Sequence, residues 1–259
     1  MEKKWRTAIT QHVGHETYIR GYRLLDLVGN LSFAQAIYLI LKGELPDEKE
    51  SKMMEAIFVS VIDHGIAPPS AIAARAVASG GNSLNVGVAA GVLAFGSAHG
   101  GALEDAMRFI QEGVGSKRPV EEIVKEYLAA KKPIPGYGHR YYKEFDPRTK
   151  RLMDIARDLG FYGEHCHFAE QVQEEIERQK GKKLVLNVDG AIAAITSEMG
   201  FDWRLGKGFF IIGRVPGLVA HVYEELTTEK PFSKRLDEEK ETEYTGVPPR
   251  ELPQEFKRI

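Results

Sequence analysis

Three short stretches of this sequence combine histidine, arginine or aspartate with the glycines and prolines that shape loops, and each could act at a carbonyl group. The first is Gly96-Ser-Ala-His-Gly-Gly-Ala-Leu-Glu104, where His99 stands between two predicted helices and Gly100 and Gly101 open the second. The positive end of a helix dipole disfavours imidazolium, so a histidine there is held neutral. A neutral imidazole can donate a hydrogen bond to a carbonyl oxygen that is becoming an enolate. It can equally do no more than cap a turn.

The second stretch is Pro133-Ile-Pro-Gly-Tyr-Gly-His-Arg-Tyr-Tyr-Lys-Glu-Phe-Asp-Pro-Arg148. Its prolines and glycines shape a loop that presents His139 and Arg140. Asp146-Pro147 reads as N-cap and first residue of a helix, which places Arg148 in the first turn. A cation there opposes the dipole, so Arg148 is expected to have an anionic partner. His139, Arg140, Lys143 and Arg148 together suit a carboxylate-rich substrate on a phosphate-bearing carrier; the plainer reading is a basic surface loop. The third stretch, Leu184-Val-Leu-Asn-Val-Asp-Gly190, reads as a strand running into a helix. Asp189 is there either an N-cap or a carboxylate base at the end of a buried strand. The run His165-Cys166-His167 is not read as a metal site, because adjacent residues on a helix diverge around it.

The elements that must position these residues are mainly α-helical by period. Trp5–Thr10 and Thr17–Tyr22 flank a turn-prone His-Val-Gly-His and predict a hairpin. Ser32 predicts a helix cap, with the helix running to about Lys42, and Asp47 caps another to about Asp63. Further helices are expected from Pro68-Pro69 to Val77, and over Leu84–Phe95, Leu103–Glu112 and Val120–Lys131. Others follow over Pro147–Asp158, Glu164–Gln179, Ala191–Met199 and Leu218–Leu226. The glycines and alanines of Leu84–Phe95 predict close approach of neighbouring helices, since each glycine otherwise costs about 1 kcal/mol of helix stability. From Thr227 onward a charged, proline-containing tail is expected to extend over the surface or over a partner subunit.

The 259 residues allow one large domain or two modest ones. Apolar residues make up 43% and charged residues 28%, the proportions of an ordinary globular chain. A formal net charge of −2 argues against a nucleic-acid binder that works through a general positive field. Met-Glu-Lys-Lys-Trp-Arg is followed by no apolar stretch, so no secretory signal is read. The apolar stretch Val86–Phe95 is about half of the ~20 residues a spanning helix needs. With Cys166 the single cysteine, no intrachain disulfide can form, and a cytoplasmic protein is expected.

Taken in order, the three stretches resemble the citrate synthase superfamily. Its His-Gly-Gly-Ala motif is similar to the run from His99, and its Asn-Val-Asp motif to Asn187-Val-Asp189. Its Gly-x-Gly-His…Asp-Pro-Arg motif is similar to Gly136 through Arg148. The similarity continues at Arg20-Gly-Tyr, Tyr38 to Pro46, Asp63-His64 and Gly213-Arg-Val-Pro-Gly-Leu-Val-Ala-His221. The resemblance implies a mainly α fold with a large and a small helical domain, working as a homodimer or higher homo-oligomer. Residues 1–102 would open the large domain, 103–200 form the small one, and 201–259 complete the large domain and the tail.

It also implies roles at the matching positions. Asp189 would act at the acetyl methyl, His99 at the thioester oxygen, and His139 at the hydroxyl or carbonyl of the four-carbon half. His64, Arg140, Arg148 and Arg214 would hold carboxylates; Lys143, Lys182 and Lys183 would meet coenzyme A phosphates. The implied substrates are citryl-CoA, acetyl-CoA and oxaloacetate, with no nucleic acid or membrane, no metal and no cofactor beyond the coenzyme A carried by the substrate. Within the superfamily, synthases are longer at the N-terminus and carry a tail arginine near a Tyr-x-Gly segment. Here that segment reads Glu239-Lys-Glu-Thr-Glu-Tyr-Thr-Gly246, with Arg235 the nearest arginine upstream. Gly190 after Asp189, the Gly-Gly-Ala-Leu run and Asp63-His64-Gly65 resemble free-standing citryl-CoA lyases and the lyase portion of ATP-citrate lyases. Cleavage of citryl-CoA to acetyl-CoA and oxaloacetate is therefore the expected activity. The alternatives are a compact citrate or 2-methylcitrate synthase and a catalytically silent module that binds CoA thioesters.

Overall fold

The computed structural model describes residues 5–96 and 99–257. Ser97 and Ala98, inside the first junction, lie outside the described residues, as do the first four and last two positions. The N-terminal hairpin turns at Gly14-His15, inside the expected His12-Val-Gly-His15, but its first strand is Thr10–Val13 rather than Trp5–Thr10. Strands β1 (Thr10–Val13), β2 (Glu16–Ile19) and β3 (Tyr22–Arg23) make an antiparallel meander. The Arg20 side chain ties it to the following helices by donating to the Ile40 carbonyl at 2.7 and 3.0 Å.

Helices follow almost without interruption. After α1 (Leu24–Leu27), Ser32 and Asp47 cap α2 (Phe33–Lys42) and α3 (Glu48–Ser60), each through a reciprocal pair with a residue three positions on, Gln35 and Glu50. Then come α4 (Pro69–Ser79), α5 (Leu84–Leu93), α6 (Ala102–Ser116) and α7 (Val120–Ala129). The chain continues through α8 (Pro147–Leu159), α9 (Glu164–Lys180), α10 (Val188–Glu198), α11 (Gly206–Thr228) and a short α12 (Glu238–Glu241).

Two expectations are corrected. Leu184–Asn187 forms no strand: among the described residues its only ladder partner is the Gly136–Gly138 loop, through one bridge at Tyr137–Leu186. The helix expected over Leu218–Leu226 begins instead at Gly206 and continues through Pro216. Proline removes one backbone donor there, but packing of α11 on α3, α4, α5 and α6 outweighs the local penalty. By length and composition Trp203–Thr228 is apolar enough to cross a membrane. In the fold it is a core helix, with Phe209, Leu218 and Val222 fully buried.

The packing groups α3, α4, α5 and α11 on one side and α6 to α10 on the other, joined by α3 against α8 and α11 against α6. The expected close approach within the first group is present: a Cβ on Gly87 would stand 3.1 Å from the Ala74 carbonyl, and one on Gly91 3.0 Å from Leu218. The tail is tied down where it leaves α11. Buried Arg75 donates to Glu225 at 2.8 Å and to Glu224 at 2.6 Å, and Lys234 and Ser233 reach the same Glu225 at 3.4 and 2.8 Å. The Glu225 side chain has no exposed surface, so its charge depends on these partners. Arg75→Met is expected to lower the unfolding free energy by about 3–5 kcal/mol in urea titration. The double variant with Glu225→Leu is expected to recover most of that loss, because the orphaned charge is then gone as well.

Candidate active site

Val188 and Asp189 open α10, and what precedes them is held by two motifs at once. Gly138 donates to the Val185 carbonyl at 2.7 Å and Asn187 to the Gly136 carbonyl at 3.0 Å. Asn187, rather than Asp189, caps α10: its Oδ1 accepts from Gly190 at 3.1 Å while its Nδ2 donates to the Gly138 carbonyl at 2.9 Å. This backbone crossing needs two glycines. A Cβ on Gly190 would lie 2.5 Å from the Gly136 oxygen, and one on Gly136 2.8 Å from Gly190 Cα. Gly136 also has φ +87°, where a side chain is strained.

Asp146 adds a third tie. It caps α8, accepts from the Arg148 guanidinium at 2.8 and 3.1 Å, and reaches the Val188 N–H at 3.2 Å. The anionic partner expected for Arg148 is thus its own helix cap. Burial opposes the Asp146 charge, but Arg148 outweighs it and holds the carboxyl below its ordinary value.

These ties bring residues from distant parts of the chain to one cleft of ≈ 340 Å³. His64, His99, His139, Arg140, Arg148, Asp189 and Arg214 all line it. The His139 Nδ1 accepts from the backbone N–H groups of Tyr141 and Tyr142, each at 3.1 Å. That leaves Nε2, 3.3 Å from Arg148, as the position that can exchange a proton with a ligand. Burial, with Arg148 and Lys143 nearby, lowers the pKa of His139 against the opposing pull of Asp146. His99 Nε2 lies 2.8 Å from the buried hydroxyl of Ser70, and its ring meets Phe95 and Phe210 edge-on. Burial first, then Arg214 and His64, lower the pKa of this imidazole. His64 is likewise shifted down by burial and by Arg148 and Arg214.

Arg214 is buried and uses Nε on the Val61 carbonyl at 2.7 Å. Among the described residues its terminal nitrogens have no hydrogen-bond partner and are available to a ligand. Asp189 Oδ1 is buried with no hydrogen-bond partner among the described residues. Burial pushes its carboxyl up to about 6, against the pull of Arg148 and Arg214. A carboxylate of that affinity, short of partners and in one cleft with three imidazoles, is equipped to move a proton near neutral pH.

Three candidates stand outside the cleft wall. Lys143 turns back on the His139 carbonyl at 2.9 Å, Lys183 lies 3.9 Å from Glu144 on the neighbouring rim, and Lys182 is exposed. Ser70, 29 residues before His99, escaped sequence reading because no local pattern connects them. His165 and His167 face different partners, Glu198 and the Gly163 carbonyl. The raised affinity of Asp189 sets a stability prediction. Its ionisation is dearer in the folded chain, so it costs nothing below the ordinary value of 3.8 and its full amount above about 6. Asp189→Asn is therefore expected to raise unfolding free energy by about 2–3 kcal/mol at alkaline pH. The gain should fade as pH drops towards 4, and an equal gain at both ends of the urea-unfolding pH series would contradict the assignment.

Residues 46–235 match the family described as citrate synthase, C-terminal domain. Citrate synthase 2 of Bacillus subtilis (strain 168) is 29% identical over 215 residues, covering 82% of this chain and 56% of that protein. The chain spans about half the length of the curated relatives it matches. Among solved structures, citryl-CoA lyase from Hydrogenobacter thermophilus is 88% identical with a TM-score of 0.95, covering 99% of this chain and 100% of that one. ATP citrate lyase from Methanothrix soehngenii, in complex with citrate and coenzyme A, is 26% identical with a TM-score of 0.82, covering 100% of this chain and 44% of that one. With the family model spanning most of the sequence and the three motifs meeting in one cleft, the chain belongs to the citrate synthase family.

Proposed function

We propose that this protein is a citryl-CoA lyase, cleaving citryl-CoA to acetyl-CoA and oxaloacetate by a retro-aldol-type step. The observation that carries the reading is Asp189, a buried carboxylate with an unpartnered oxygen, in the same cleft as three imidazoles and three arginines. The direction is supported by the 88% identity to the Hydrogenobacter thermophilus lyase over the whole chain.

In this reaction His139 Nε2 first releases its hydrogen to solvent and then takes the hydroxyl proton of the citryl group. With Nδ1 accepting from two backbone N–H groups the neutral ring carries its hydrogen at Nε2, and those donors with the guanidinium beside Nε2 favour the anionic ring that receives the proton. The electrons of the breaking carbon–carbon bond move into the thioester, whose oxygen takes a hydrogen bond from His99. With Ser70 donating to Nε2, Nδ1 is the N–H that serves this purpose. One preorganised donor of this kind is worth about 3–4 kcal/mol of barrier. Asp189 then gives its proton to the enolate carbon, forming the methyl group of acetyl-CoA, and takes one back from solvent, which balances the cycle. His64, Arg140, Arg148 and Arg214 hold the carboxylates of the four-carbon half. Lys143 and Lys183 on the rim, with Lys182, meet the phosphates of coenzyme A, which is part of the substrate. No electron acceptor or hydrolytic water enters the balance.

His64, His99 and Arg214 come from one helix group and His139, Arg148 and Asp189 from the other. The division at about residues 103 and 200 is thus a proposed pair of domains that close on the substrate. A second copy of the chain is part of the proposal: Ile72, Leu93 and Tyr223 on α4, α5 and α11, and Leu236 and Tyr244 in the tail, are exposed apolar residues suited to such a contact. The buried thiol of Cys166 suits a reducing, cytoplasmic compartment.

Incubation with citryl-CoA is expected to release acetyl-CoA and oxaloacetate without free coenzyme A. Net citrate and free thiol from acetyl-CoA plus oxaloacetate would establish a synthase instead, and neither activity would leave a silent binding module. Asp189→Asn should lower kcat for cleavage by about 10³-fold or more while the coenzyme A affinity stays within a few-fold. Equal losses in binding and rate would remove Asp189 from the chemical step.

A further inference from the structure

The run Gly213–His221 gives the cleft one side chain, Arg214, yet the rest of it follows the segment that carries His64. Successive turns of α11 meet successive residues of that segment. Arg214 Nε donates to the Val61 carbonyl at 2.7 Å. One turn further, Gly217 sits so close that a Cβ would lie 2.4 Å from the Ile62 oxygen and 3.0 Å from Asp63 Oδ1. One turn beyond that, His221 Nε2 lies 3.0 Å from Asp63 Oδ1. The second oxygen of Asp63 accepts from the Gly65 N–H at 2.9 Å, so a single carboxylate holds the chain on both sides of His64.

His64 has no side-chain hydrogen bond of its own among the described residues, and its ring stands 6.3 Å from that of His139. Its direction is therefore set by its backbone. We propose that His221 and Asp63 form a positioning pair that fixes residues 62–65 and so aims the His64 imidazole at a carboxylate of the four-carbon acid. This rests on the reading of the cleft as the citryl-CoA site.

The chemistry of the pair is specific. Facing a carboxylate oxygen, His221 Nε2 must carry a hydrogen, and it does so in both the neutral and the charged ring. Glutamine brings an amide N–H to a similar distance from the helix, whereas asparagine is one methylene too short and leucine has no donor. The His221 side chain is 12% exposed and that of Asp63 42%, so solvent screens the charge and geometry is the main contribution.

The test compares the full-length chain with His221→Leu, His221→Asn and His221→Gln, measuring calorimetric affinity for oxaloacetate and for acetyl-CoA. His221→Leu and His221→Asn are expected to bind oxaloacetate roughly tenfold more weakly, with acetyl-CoA affinity within about twofold of the parent. His221→Gln is expected to restore oxaloacetate binding to within about threefold. Unchanged oxaloacetate affinity in His221→Asn, or an equal loss for both ligands, overturns the positioning role and leaves the functional reading standing. A parent protein that neither binds oxaloacetate nor cleaves citryl-CoA overturns the functional reading, and the pair's proposed purpose falls with it.

Discussion

One buried carboxylate holds the site together. Asp146 caps α8, fixes the guanidinium of Arg148 and accepts the N–H of Val188, the residue before Asp189. A charge in that position is tolerated only because every oxygen has a donor, and removing any donor would leave part of it uncompensated. The same bonds that make Asp146 acceptable therefore set the relation between Arg148 and Asp189. Neither residue can shift without exposing the cost.

Around this tie the fold brings two irregular segments into backbone contact. The Gly136–Gly138 loop and Leu184–Asn187 share two hydrogen bonds and a single bridge, too little to make a sheet but enough to set one register. Gly136 and Gly190 allow the closeness, which is why the small residue after Asp189 matters structurally. The loop then turns back so that two backbone N–H groups occupy His139 Nδ1, leaving only Nε2 for exchange. Positive charge collects in the cleft on Arg148 and Arg214, while Asp189 keeps an unpartnered oxygen. Such an arrangement is poor for stability and suited to an anionic substrate.

The opposite wall is organised by one long helix. Helix α11 runs through a proline, accepts the backbone penalty, and in return contacts α3 to α6 along its length. Its buried Arg214 reaches back 153 residues to the end of α3, and His221 reaches back 158 to Asp63. The cleft is thus closed by elements far apart in the chain, as expected where two helix groups meet around a ligand.

Much of this was legible in the residues. Capping signals at Ser32, Asp47 and Asp146-Pro147 are local chemistry, and all three act as caps. The motifs around His99, His139 and Asp189 resembled one family, and the chain belongs to it. Other features had no local signal: the Ser70 hydroxyl against His99, the reach of Asp146 to Val188, and the glycine crossing of Gly136 and Gly190. The strand expected at Leu184–Asn187 failed for the same reason, since a strand needs a partner that its own sequence does not name. By itself the sequence determined most of the helices, the caps at Ser32, Asp47 and Asp146 and the types of group available for chemistry, because these depend on neighbours within a turn or two. Only the tertiary structure decided which nitrogen of His139 is free, which aspartate is satisfied and which is left without a partner. Those outcomes depend on burial and on donors tens of residues away.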